Sequence, residues 1–120
     1  MEKKLSFRKY EKKIMPQFRE KMNKAESTED VKKFFTQTVE ELLNHILDRA
    51  VKFQDNDVLL LPDVKPYYQI SERLQTVEPL KSYWIDSDLP HIISRLADSA
   101  CGRYRHLEKH PEKTESKIRM

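Results

Sequence analysis

Glycine is almost missing from this chain of 120 residues: Gly102 is the only one. Turns that need a positive φ are therefore scarce, which argues against an all-β fold. Loops that cradle phosphates, dinucleotide fingerprints and the Gly-x-Ser-x-Gly nucleophile elbow all need several glycines, so these are excluded too. Cysteine is equally sparse. Cys101 stands alone, which rules out an internal disulfide and a cysteine-based zinc site. A reducing, cytoplasmic setting is the simplest expectation. Long apolar runs are missing as well. None approaches the roughly 20 residues of a membrane span, and MEKKLSFRKYEKK has no apolar stretch of the kind a secretory signal carries.

What is present is charge, unevenly placed. Residues 1–24 carry nine Lys/Arg against three Glu, residues 25–63 four against nine, and residues 103–120 six against three. Both ends are basic and the middle is acidic, although the net charge is only +3. The length fits one domain, expected over residues 1–110, with residues 111–120 (PEKTESKIRM) lacking a packing face and expected as a disordered tail.

Apolar spacing predicts helices. Phe7, Tyr10, Ile14, Phe18 and Met22 share one stripe, interrupted by Pro16, which predicts a kink or break near Met15. From Ser27, Val31 through Phe53 repeat at helical spacing over about half the circumference, more than the roughly 100° one neighbour requires, so this helix is expected to be central. Ser27 or Thr28 caps it, with Glu29 and Asp30 in its first turn. A last helix starts after Ser87 or Asp88, and Leu89, Ile93, Leu96, Ala100, Tyr104 and Leu107 line one face. Between them, residues 67–77 read as a short helix. Residues 58–61 (VLLL) read as a short strand or extended segment, with SYWI at 82–85 as the only plausible strand partner. The expected fold is mainly α: a compact bundle of three longer helices and one short helix, with an irregular or minimally β segment around residues 55–86.

Gly102 breaks a helix rule. It projects about 160° from the apolar face of the last helix, so close packing against the domain's own core does not explain it. Either it ends that helix as a left-handed cap, or the helix continues through it. In the second case His91, Arg95, Gly102 and His106 share a solvent-facing stripe, with Ser99 beside it; together with Arg103 and Arg105 the four stripe residues are the candidate anion-binding set.

Chemistry is thinly represented. Glu41 and His45 are four apart on a helix, and Asp88 precedes His91 by three, but no Glu-x-x-His pair of the ferritin-like kind exists. Cys101 and His106 are five apart and point in different directions on a helix. No metal, cofactor or catalytic site is expected. Tyr67, Tyr68, Tyr83 and Trp84 cluster near Leu59, Leu60 and Leu61 in the proline-punctuated middle. Aromatic residues are common anchors of protein interfaces. The leading expectation is thus a non-enzymatic, self-associating interaction subunit or adaptor using those seven residues, with no membrane partner. The runner-up is an accessory protein for nucleic acid or another polyanion. It would use Lys3, Lys4, Arg8, Lys9, Lys12 and Lys13 at one end and Arg95, Arg103, Arg105 and His106 at the other.

Overall fold

The computed structural model describes residues 6–48 and 52–109. Three long helices make the frame: α1 (Arg8–Lys24), α2 (Thr28–Leu47) and α5 (Leu89–Lys109). Two short strands, β1 (Val58–Leu60) and β2 (Tyr68–Ile70), and two short helices, α3 (Glu72–Thr76) and α4 (Leu80–Asp86), lie between α2 and α5. The fold is mainly α, as the periodicity implies. The 111–120 tail lies outside the described residues.

Helix α2 is central: it touches α1, α5 and β1. Phe35, Val39, Leu42 and Leu43 are fully buried on it, which is why its apolar arc is so wide. Two side chains satisfy amides at its start. Ser27 Oγ accepts from the Asp30 amide (3.1 Å), and Asp30 Oδ2 accepts from the Glu26 amide (3.1 Å). It ends earlier than the spacing predicts. Asp48 closes it in the left-handed region (φ 53°), so Phe53 packs on the core from the following segment rather than from the helix.

Helix α1 runs unbroken through Pro16. The predicted break is absent; Pro16 and Lys12 are both exposed, so the carbonyl that loses its amide partner is placed where water can satisfy it. Asp88, just ahead of α5, holds the start of α1. Its carboxylate accepts from the Phe7 amide and the Ser6 hydroxyl, both at 2.8 Å. Ser87 Oγ meanwhile accepts from the Leu89 amide (3.1 Å) at the start of α5. Glu11 is buried on the inner face of α1 and accepts two bonds from the Arg95 guanidinium of α5, each 2.8 Å. That pair ties α1 to α5.

The middle of the chain differs most from expectation. β1 pairs antiparallel with β2, with Val58 opposite Ile70, Leu59 opposite Gln69 and Leu60 opposite Tyr68. Ser82–Ile85 is not the second strand; it lies inside helix α4. Residues 67–77 are not one helix but β2 followed by α3, which Ser71 caps by accepting from the Leu74 amide (3.3 Å). There are therefore two short helices, not one.

Gly102 lies within α5, which continues to Lys109. The terminating cap is not formed, because Tyr104 and Leu107 still have core to cover. A Cβ built at Gly102 meets nothing within 4 Å. Gly102→Ala is therefore expected to raise stability by about 0.5–1 kcal/mol, read as a higher urea midpoint with an unchanged slope.

Candidate interaction surface

The ribbon creates an open edge. Leu61 donates its amide to the Tyr67 carbonyl (2.7 Å) and Ser71 to that of Asp57 (2.8 Å). Hydrogen-bonded positions in an antiparallel pair repeat every second residue, so Leu59 and Gln69 form the bonded pair between them. The backbone groups of Tyr68 and Ile70 then point away from β1, along the outer edge of β2. Among the described residues no third strand pairs with that edge. The Ile70 carbonyl is occupied by Gln75 Nε2 (2.5 Å).

A groove of about 300 Å³ runs beside this edge, lined by Pro66, Tyr68, Gln69, Ile70, Gln75, Trp84 and Pro90. Two aromatic walls are held in place. Trp84 Nε1 donates to the Leu74 carbonyl (3.1 Å), and the Tyr68 hydroxyl donates to the Pro90 carbonyl (3.4 Å). Burial pushes the Tyr68 phenol above its ordinary pKa, so it remains a neutral donor.

The predicted interface residues separate. Tyr68 and Trp84 form the groove. Tyr67 faces a neighbouring hollow with Lys65, Ser94 and Asp98. Tyr67 itself has a positive φ of 78°. Its amide bonds to Val64 and its carbonyl to Leu61, and the Arg105 guanidinium lies 5.1 Å from its ring centre. Tyr83 packs edge-on against Phe7 at 5.0 Å, within the molecule. Leu60 is buried, while Leu59 and Leu61 are half-buried.

Three of the predicted anion-binding arginines have partners inside the chain. Arg95 holds Glu11, which raises its pKa further. Arg103 donates to the carbonyls of Asn23 (3.3 Å) and Ala25 (2.9 Å) at the end of α1. Arg105 donates to the Pro62 carbonyl (3.0 Å). His91, Gly102 and His106 are exposed on α5.

Two further clusters carry titratable groups. Asp57 is buried at the foot of the ribbon. Burial pushes its carboxyl up, but bonds from the Ser71 hydroxyl (2.6 Å), the Gln54 amide (2.6 Å) and Arg73 outweigh that and leave its pKa lowered. Nearby, Glu40 is pushed up by burial and by the charges of Asp57 and Asp55. Glu40 and Glu41 line a shallow hollow of about 400 Å³ with Gln37, Asn44 and His45. His45 and Glu41 approach to 3.8 Å. Among the described residues no three His, Cys, Asp or Glu side chains converge as a metal site would require. Cys101 is buried, and burial raises its thiol pKa, opposite to what a nucleophile needs. No helix among the described residues is long and apolar enough to cross a membrane.

Pro66, Gln69, Ile70, Gln75 and Pro90 line the groove but are not among the interface residues that the sequence points to. Their only local signal is proximity to the aromatic cluster. Comparison with family models gives no match, and comparison with curated proteins and with solved structures gives none either.

Proposed function

We propose that this chain is a non-enzymatic interaction subunit of the reducing cytoplasm, and that its first partner is a second copy of itself. The observation that carries the reading is the groove between Tyr68 and Trp84, beside the edge of β2 that pairs with no further strand among the described residues. A strand edge offers directional backbone bonds, and an adjacent aromatic groove takes the alternate side chains of whatever pairs with it. Tyrosine and tryptophan bury much area for few frozen torsions, which suits them as anchors. Val64 and Ile85, at 59% and 69% exposure, add apolar surface to the same middle segment.

Size-exclusion chromatography with light scattering tests this. The expected result is a species of at least twice the 14.4 kDa chain mass, unchanged between low and high salt. Trp84→Ala and the milder Gln69→Lys, which changes an exposed side chain of β2, are expected to give folded monomers. A wild-type protein that stays monomeric at the highest concentrations reached would sink the reading.

A further inference from the structure

The exposed face of α1 is a second surface, with different chemistry. Arg8, Lys9, Lys12, Lys13, Arg19 and Lys24 are all exposed. At 100° per residue they spread over about half the helix circumference. Glu20 is the single acid on that face, and Lys24 already pairs with it (3.3 Å). Glu11, the other acid of α1, is turned inward onto Arg95. Among the described residues no hydrogen bond or ion pair engages the side chains of Arg8, Lys9, Lys12, Lys13 or Arg19. From Arg8 to Arg19 these cations extend about 16 Å along the axis, at 1.5 Å per residue.

The face also lacks something. Ile14, Phe18 and Met22 are buried in the core, and Tyr10 is half-buried with its ring 6.0 Å from that of Phe7. No apolar or aromatic anchor is left on the outside beyond Pro16. Protein interfaces are depleted in lysine and rely on such anchors. A helix that lies in a bilayer surface needs its apolar side turned out. Binding to single strands needs rings on which bases stack. A face of cations alone matches the phosphate backbone of a duplex, which presents one negative charge per about 1.7 Å of axis.

We propose that the outer face of α1 binds the backbone of duplex nucleic acid without reading its sequence. Arg8, Lys9, Lys12, Lys13 and Arg19 make the phosphate contacts. The α5 arginines are not assigned to this surface: each already donates within the chain, Arg95 to Glu11 and Arg103 and Arg105 to backbone carbonyls. The surface is independent of the groove beside β2.

The test is fluorescence anisotropy with labelled 20-base-pair DNA and RNA duplexes from 50 to 200 mM salt, alongside a single strand of the same length. Anionic lipid vesicles are assayed by co-sedimentation. Four or five phosphate contacts predict a log–log salt slope of about −4 for duplex. K9E/K12E/K13E is expected to weaken duplex binding at least roughly tenfold at 50 mM salt and to flatten the slope by about 2.7. K52E/K65E/K109E makes the same change in net charge at exposed positions elsewhere and is expected to remain within about threefold of wild type, since screening confines the effect to near contacts. K9Q/K12Q/K13Q, which removes charge without reversing it, should fall between wild type and the reversed triple. The proposal is overturned by any of four results: no duplex binding at 50 mM salt, equal losses in the two reversed triples, tighter binding to the single strand, or binding to vesicles but not to duplex.

Discussion

Asp57→Ala is expected to destabilise the protein by about 3 kcal/mol, the lower end of the range for breaking a buried ion pair. Asp57 is a junction. Its side chain is 5% exposed and gathers the Ser71 hydroxyl, the Gln54 amide and the Arg73 guanidinium. Its own carbonyl accepts the Ser71 amide in the ribbon. Arg73 also donates to the Lys52 carbonyl (2.8 Å), so one carboxylate fastens the segment after α2 to β2 and α3. The Arg73 side chain is 39% exposed, so the cation left behind can be hydrated. That is why the lower end applies.

The charge adds a pH signature. A carboxyl whose pKa is lowered by folding contributes stability that is fully present above its ordinary value of 3.8 and is lost as pH falls from there through the folded value. Wild-type stability should therefore drop on acidification below about pH 4. Asp57→Asn, which keeps the shape and one acceptor, should start lower at pH 7 and fall less steeply with acid. Urea melts at pH 7 and pH 3 read both effects. An equal fall in both proteins would mean that Asp57 is not held in its charged form.

Phe35→Ala is expected to cost about 3–5 kcal/mol, the usual range for emptying a buried phenylalanine site. Phe35 is fully buried on the helix that touches α1, α5 and β1, so the hole opens at the centre. A domain of this size has about 5–15 kcal/mol in total. A fall in Tm of about 20 °C follows from the scaling for domains near 100 residues. Phe34→Ala is the contrast. Phe34 is half-buried and packs beside Lys21, whose ammonium lies 6.0 Å from the ring centre. Its loss should cost under about 2 kcal/mol, since less apolar area leaves the core. Thermal melts by circular dichroism separate the two variants, and equal shifts would contradict the packing.

Between Phe34 and Phe35 the limit of local reading is visible. Both fall on the apolar arc of α2, and periodicity treats them alike. Only the neighbours of α2 decide that one ring is core and the other lies at the edge. The same holds for SYWI. Over four residues, periods of 2 and 3.6 cannot be told apart, and an aromatic-rich stretch suits a strand by composition. Packing against α3 and α5 makes it a helix instead. The partner of VLLL is not legible for a related reason: strand pairing is a contact between distant segments, and register is set by turns and burial rather than by either strand alone.

The charged residues follow the same division. That α1 is basic and amphipathic is written in its own residues, and so is the outward face that carries its lysines. That Arg95, Arg103 and Arg105 each donate to groups elsewhere in the chain is not. Glu11 is 84 positions from Arg95, and Ala25 is 78 from Arg103. By itself the sequence determined the three long helices, their buried stripes and a cap at Ser27 or Thr28, of which the structure uses Ser27. Each of these rests on interactions within a few residues, where side-chain spacing and backbone preference suffice. Tertiary structure alone decided the partner of β1, the groove between Tyr68 and Trp84, the fate of the α5 arginines and the burial of Asp57. Each of those depends on which distant groups fold up beside one another, and no local pattern carries that.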